Sequence, residues 1–360
     1  MIIPGGVEHG LDESVFSAHV TDVVVAIAAC QIFFECSVLR RALRIRAQVI
    51  AKGELVGDIR VAGGANVHMM APHSVRVLAE VEAARRPGNL SIEAFAANHE
   101  YMSSQYEINV KHSGALDAAD RAFMLKAAVK EIAVREGLLA TFMGRPFTDQ
   151  GGSGFHLHFS LNGEDGENGF AGDPRADGLS PLAASFVAGV IDHAQGLQAL
   201  LGPTINSYKR ILPDSLAPTH ANWGHDNRTA FCRIPKERGS KARVEVRTGD
   251  GSANAHLITA AILLAGLDGI ERGLEPPEPV VGDAYRMDEA HAGTGLPEDL
   301  GAALDALEAD TWLVERLGQQ LVSTFVAMKR FEVERFQEVV GELDRDVITV
   351  WEVEEYAAHL

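Results

Sequence analysis

Apolar and polar positions alternate along residues 104–110, with Gln105, Glu107 and Asn109 on one side and Tyr106, Ile108 and Val110 on the other. That period of two predicts a half-buried strand, and it returns over 155–161 and 243–247. Elsewhere the period lengthens to that of a helix. Residues 116–136 are rich in Ala, Leu, Lys and Glu and stop at Gly137, while Ser180 and Pro181 supply an N-cap and a first-turn proline for a helix running to about residue 201. Residues 254–272 are apolar enough for a buried helix, and 297–356 read as helical with breaks near Gly318 and Gly341. Helices are also expected over 37–47 and 75–84, the second closed by the turn Arg86-Pro87-Gly88-Asn89. Residues 1–36 and 58–74 show no sustained period. Short strands and flanking helices together predict an α+β fold with a mostly antiparallel sheet.

Composition narrows the function classes. The chain has 360 residues and a formal charge of −18, which argues against nucleic acid or an anionic membrane as partner, since both demand clustered Lys and Arg. The longest apolar run, residues 23–34, is interrupted by Gln31 and is too short to span a bilayer. Neither a basic start nor a small-residue cleavage site suggests export. Cys30, Cys36 and Cys232 lack metal-type spacing and leave one unpaired, which fits a reducing cytoplasm.

Three strands carry the candidate chemistry. Side chains two apart in a strand share a face, so His156 and His158 are neighbours, as are Gln105 and Glu107, with Glu100 seven residues before Glu107. Arg243, Glu245 and Arg247 form a third such face. One such strand alone is a solvated face with ordinary ion pairs. Three in one chain offer carboxylates and imidazoles for a divalent metal, and arginines for an anion. Residues 205–247 add nine basic residues against four acidic ones, a local reversal of sign that suits a polyanion such as a nucleoside triphosphate. No GxxxxGK[ST] loop or GxGxxG fingerprint is present, so any ATP site works without a P-loop. No nucleophilic Ser or Cys stands in an elbow context, which disfavours covalent acyl chemistry.

At this point the residues resemble a known family. Gly152-Ser-Gly-Phe-His156-Leu-His158, Asn206-Ser-Tyr-Lys-Arg210-Ile-Leu-Pro213, Asp226-Asn-Arg228-Thr-Ala-Phe-Cys-Arg233-Ile-Pro235 and Ala242-Arg-Val-Glu-Val-Arg247 are similar to signature blocks of the glutamine synthetase family. Asp250-Gly-Ser-Ala-Asn-Ala255 and Leu264-Ala-Gly-Leu-Asp-Gly-Ile270 continue the likeness in order. The resemblance covers about residues 76–360 and implies a funnel of curved, mostly antiparallel strands walled by helices. Residues 1–75 are left as a reduced or degenerate N-terminal region, since the family's small β-grasp domain has no clean counterpart.

The resemblance implies ATP and Mg²⁺ or Mn²⁺ as cofactors, with glutamate and an amine joined through a γ-glutamyl phosphate. Glu100 and Glu107 resemble ligands of one metal, and His156 and Glu245 those of the other. Glu54 is a partial match to the family's Glu-x-Glu strand, whose second place holds Val56. His158 resembles the residue touching the ATP phosphates. Gly152, Arg210 and Arg247 match positions that hold the amino-acid substrate, and Arg210 and Arg228 match the catalytic arginines. Arg228, Arg233, Lys241 and Arg243 match nucleotide- and phosphate-binding positions.

One departure bears on substrate. Glutamine synthetases carry a glutamate before Ala-Pro in the loop after the Lys-Arg block, closing the ammonium pocket. Leu216 stands there, which removes both the attracting charge and the base. The expected activity is therefore ligation of glutamate to an organic amine. Glutamine synthesis proper and an inactive homologue with a binding role are the alternatives. A homo-oligomer is expected, because the family forms rings of subunits.

Overall fold

The computed structural model describes residues 59–69, 92–100, 102, 104–173, 177–287 and 292–360. The helices expected over 37–47 and 75–84, and Glu54, lie outside the described residues.

Among the described residues a nine-stranded sheet organises the fold. Its main path runs β2 (Ala94–His99), β3 (Gln105–Val110), β1 (Ile59–Met69), β6 (Phe155–Leu161), β10 (Val244–Val246), β9 (Cys232–Ile234) and β8 (Trp223–His225). Two short strands, β4 (Ser113–Gly114) and β5 (Ala140–Thr141), pair with β1. Pairing is antiparallel except between β8 and β9. A separate ribbon joins β7 (His220–Ala221) to β11 (Thr294–Gly295).

The strand β1 corrects the expectation that residues 58–74 are patternless. It is the long central strand, paired with β3 on one side and β6 on the other. Its middle, Ala62-Gly63-Gly64-Ala65, consists of small residues that erase the hydrophobic alternation. Neighbouring strands supply the pairing that propensity does not.

The strand β6 has the predicted two faces. Phe155, Leu157, Phe159 and Leu161 are buried, while the two histidines between them are half-buried on the opposite side. The helices among the described residues are α1 (Ala115–Arg135), α2 (Pro181–Asp192), α3 (Ala194–Leu201), α4 (Ala255–Arg272), α5 (Leu300–Ala309), α6 (Thr311–Leu317), α7 (Gln319–Val339) and α8 (Val350–Tyr356). Of these, α2 meets the apolar side of β6 through Phe186 and Phe159. Ser180 caps α2 by accepting from the Ala183 N–H, and Asn254 caps α4. The helix expected from 180 to 201 is interrupted at His193. Its imidazole contacts Asp310 (2.6 Å) and Asp268 (3.1 Å), so tertiary bonds outweigh continuation of the helix.

Helices α2 and α4 meet through glycines. A Cβ at Gly189 would lie 2.2 Å from the Ala265 carbonyl oxygen, and one at Gly269 2.1 Å from that of Ser185. Only glycine permits that closeness of backbones. Among the described residues no helix is long and apolar enough to cross a membrane.

Candidate active site

The register of the sheet assembles the site. Across β6 and β10, His158 faces Glu245, Leu157 faces Val246 and Phe159 faces Val244. On the other flank His156 faces Gly64 of β1, and Glu107 of β3 faces Asn66 two residues further along β1. Thus residues about 140 positions apart in the chain are brought onto one polar face (Glu107 and Glu245).

Glu245 is its hub. It is buried, with one oxygen 3.4 Å from His156 Nδ1 and the other accepting from Arg233 Nη1 at 2.6 Å. Arg247 Nη1 donates to the first oxygen as well. Burial alone would push this carboxyl up. The surrounding His158, His156, Arg247 and Arg233 outweigh it and hold Glu245 well below the usual carboxylate range.

The two imidazoles move the other way. Burial, then the charge of Arg247, lowers His156 well below its ordinary value. Burial lowers His158 to about 4, against a partial pull upward from Glu245. Both rings are therefore neutral at physiological pH, the form with a nitrogen lone pair to offer. His158 Nδ1 accepts from Arg243 Nε at 3.3 Å, which leaves the proton on Nε2.

A second acidic cluster adjoins the hub. The Glu107 carboxyl is raised by burial, by the charge of Glu100, by a side-chain hydrogen bond with Glu100, and further by Glu245. Carboxylates packed this closely repel one another, and a hard divalent cation relieves that repulsion. The set Glu100, Glu107, Glu245 and neutral His156 therefore fits Mg²⁺ or Mn²⁺ in donor type and charge.

The arginines gather beside these carboxylates, with Arg233 and Arg247 bonded to Glu245 itself. Arg210 is buried and donates Nη1 to the Thr248 carbonyl at 2.8 Å. Burial lowers it to about 10, so it stays cationic at neutral pH. Arg247 Nε donates to the Arg228 carbonyl at 3.1 Å. Gly152 packs against Arg210, where a Cβ would lie 2.5 Å from Arg210 Cγ and 2.5 Å from the Gly144 carbonyl oxygen. The Gly152 carbonyl in turn accepts from Gln105 Nε2 at 3.0 Å.

The structure does not bring every candidate to the centre. Arg228 and Lys241 are exposed at its rim. The cationic stretch 205–247 is also less free than its count suggests. Lys209 is fully buried in an ion pair with Glu352 of α8 at 2.6 Å. Arg233 and Lys236 both pair with Asp226 (2.6 and 3.0 Å), and Arg238 donates to the Asp177 carbonyl.

Two contributors escaped sequence reasoning. Tyr285, in the short 3-10 turn Ala284–Arg286 whose sequence carries no periodic signal, donates its hydroxyl to the Ala217 carbonyl at 2.8 Å. Arg145 bridges to the Asn206 block through its backbone N–H to Asn206 Oδ1 (2.7 Å) and its Nη1 to the Lys209 carbonyl (3.0 Å). The Ala217 loop also carries Leu216, 65% exposed and at φ +66°. Ser215 Oγ donates back to the Arg210 carbonyl at 2.6 Å, holding the loop beside Arg210.

Comparison with known proteins agrees with this geometry. A family model described as glutamine synthetase, catalytic domain, matches residues 64–348. The chain is 43% identical over 267 residues to a glutamine synthetase of Pyrococcus horikoshii, covering 72% of this chain and 59% of that protein. It is 40% identical over 274 residues to one of Thermus thermophilus, covering 75% and 59%. The chain thus spans about three fifths of the length of these curated relatives. Among solved structures, a GmaS/ADP complex superposes with a TM-score of 0.75 at 32% identity, covering 89% of this chain and 76% of that one. A structure described as a novel glutamine synthase homolog gives 0.74 at 27% identity, covering 89% and 75%. The matched span takes in the histidine strand, the buried arginines and the Glu245 hub, and the chain belongs to the glutamine synthetase catalytic-domain family.

Proposed function

We propose that this chain is the catalytic part of an ATP-dependent ligase that joins the γ-carboxylate of glutamate to an organic amine. The observation that carries the reading is the single polar face on which Glu245 and neutral His156 stand beside Glu107 and Glu100, with Arg210, Arg247, Arg233 and Arg243 around them. Such a face spreads the charge of a phosphoryl group passing between two oxygens. The structural neighbour GmaS, solved as a complex with ADP, supports a nucleotide site in this fold.

In this reading a glutamate γ-carboxylate oxygen attacks the γ-phosphorus of ATP and ADP leaves. The amine nitrogen then attacks the acyl carbon, the carbon–oxygen bond to phosphate breaks, and the proton lost from nitrogen leaves with the phosphate. Arg210 and Arg247 hold the substrate carboxylates and the transferred phosphoryl group, with Arg210 and Arg228 acting on the developing charge. The Gly152 backbone contacts glutamate. His158, Arg228, Arg233, Lys241 and Arg243 attend the nucleotide phosphates. Glu100 and Glu107, and His156 with Glu245, would hold two Mg²⁺ or Mn²⁺ ions, Glu54 adding a ligand. Those ions supply electrostatic neutralisation of the phosphates.

Leu216 supports the organic amine. Its loop is tied to Arg210 and Tyr285, and its apolar side chain offers neither charge nor base to ammonium while tolerating carbon on the nitrogen. In this reading about residues 76–360 form the catalytic domain and 1–75 a reduced or degenerate N-terminal region, from which β1 joins the same sheet. The working form is a homo-oligomer.

Phosphate release from ATP with glutamate and Mg²⁺ tests the reading, with ammonium run beside ethanolamine, methylamine, putrescine and spermine. Release with an organic amine and little with ammonium is expected. Release with ammonium alone would favour the second reading, glutamine synthesis, which the names of the curated relatives support. No release with any amine from the folded chain rejects both.

A further inference from the structure

A cavity of about 740 Å³ lies between α1, α4 and α7, beside the last residues of the chain. None of the charged groups gathered around Glu245 lines it. Its walls are largely apolar, with Phe123, Leu257, Leu321, Phe325 and Met328 among them. A volume of this order, within the roughly 300–1,000 Å³ of small-molecule sites, with a mainly apolar lining and few polar groups, is the usual form of such a site.

The charged side chains lining this wall are of one sign. Three lysines and a histidine line the cavity, and no aspartate or glutamate does, in a chain of formal charge −18. Two of the lysines are engaged. Lys126 donates to the Gly251 and Ala253 carbonyls at 2.8 Å each and lies over the Phe142 and Phe155 rings. Lys329 pairs with Glu332 at 2.7 Å. Leu360 also lines the wall, and its main-chain oxygen accepts from the Phe142 N–H.

Lys130 is different. It stands one helical turn after Lys126, so both point from the same face of α1. It is half-buried, with no acceptor or ion-pair partner among the described residues. Burial lowers its ammonium from the ordinary value. A partly desolvated cation beside apolar walls is unfavourable until an anion joins it.

We infer that this cavity binds an amphipathic monoanion, a hydrocarbon chain or ring bearing one carboxylate, with Lys130 as the partner of that carboxylate. The apolar walls take the hydrocarbon, and the single uncommitted ammonium matches a single negative charge. The inference stands independently of the ligase reading, because it uses no residue of the polar face.

Calorimetric titration of the full chain with decanoate, and in parallel with decanol, tests it. Saturable binding of decanoate at one site is expected, with decanol weaker. Lys130→Met weakens decanoate by about tenfold or more, the loss of one charge contact, and leaves decanol unchanged, while Lys130→Arg retains decanoate binding. Circular dichroism of both variants checks that the fold persists, and the arginine variant reads the charge requirement even if methionine perturbs α1. Absence of decanoate binding, equal binding of decanoate and decanol, or undiminished binding by a folded Lys130→Met protein would each overturn the inference.

Discussion

Glu245 stands directly across from His158 in the β6–β10 pairing while its carboxylate reaches sideways to within 3.4 Å of His156 Nδ1. One carboxylate thus serves both imidazoles of the histidine strand and both flanking arginines. Arg233 and Arg247 occupy the lone pairs that a cation would share. In the ligase reading, cation binding at His156 and Glu245 would require the guanidinium groups to yield part of their hold on this carboxylate, coupling metal affinity to arginine position.

Glu245→Gln separates these roles. The variant keeps the shape but loses the charge, leaving Arg247 without its carboxylate while Arg233 retains Asp226. Loss of one partner from a buried charge cluster costs about 3 kcal/mol of stability, read as a lower urea midpoint. Mn²⁺ titration should show affinity falling by about tenfold or more, consistent with a lost anionic ligand. Unchanged Mn²⁺ affinity in a folded variant would remove Glu245 from the ligand set.

Gly152→Ala tests the support of Arg210. The added methyl would sit 2.5 Å from Arg210 Cγ and from the Gly144 carbonyl oxygen, so the guanidinium stem must move. Overpacking of this kind costs about 1–3 kcal/mol. In the ligase reading the KM for glutamate rises well beyond that for ATP, measured by varying each substrate against saturating partner. An equal rise for both would assign Gly152 a merely structural role.

The histidine strand predicts an acid limb of stability. His158 ordinarily titrates near 6.5 and here near 4. Between those values the unfolded chain binds a proton that the folded chain refuses, so stability is full above about pH 6.5 and declines as pH falls toward 4. Glu245, held low in the fold, adds a further loss below its ordinary value of 4.5. Urea midpoints measured from pH 7 to 4 should fall, and His158→Asn should flatten the slope between 6.5 and 4. An unchanged slope in that variant would show that His158 protonates normally.

Much of this arrangement was legible in the chain. The alternation at 155–161, the cap at Ser180 and the apolar helix from 254 are local signals, and the structure keeps them because burial agrees with propensity. The likeness of six ordered blocks to one family pointed to the sheet that unites them. What failed was non-local. The strand β1 is held by its partners on both sides, a fact that Ala62-Gly-Gly-Ala65 cannot announce. Lys209 counted as a candidate anion-binding cation, yet it is spent on Glu352, some 140 residues later. Charge arithmetic along a segment cannot see such long-range neutralisation. The turn at His193 likewise depends on Asp310, from a distant helix junction.

The Lys209–Glu352 pair itself anchors α8 to the block containing Arg210. Both side chains have no exposed surface, and Glu352 also accepts from Asn206 Nδ2 at 2.9 Å. Glu352→Gln strands a buried ammonium and should lower stability by about 3–5 kcal/mol. The double variant with Lys209→Met should recover part of that loss, because no unpaired charge remains. Equal destabilisation by the single and double variants would show that the pair contributes packing alone.

Leu216 offers the most direct test of substrate choice. Its backbone at φ +66° is unfavourable for a branched side chain, and such residues persist where surrounding structure fixes them. Here the fixing bonds are those of Ser215 to the Arg210 carbonyl and of Tyr285 to the Ala217 carbonyl. Leu216→Glu restores a carboxylate to the loop, and in the ligase reading it attracts ammonium and supplies a base for its proton. The ratio of kcat/KM for ammonium to that for the preferred organic amine should rise by about tenfold or more, since a charge contact made to one substrate alone is worth at least about 1.4 kcal/mol of discrimination. Leu216→Gly is the control: it relieves the positive φ without adding charge and leaves that ratio within about twofold. If the glycine variant moved the ratio as far as the glutamate variant, loop strain rather than the chemistry of the side chain would set the choice of amine.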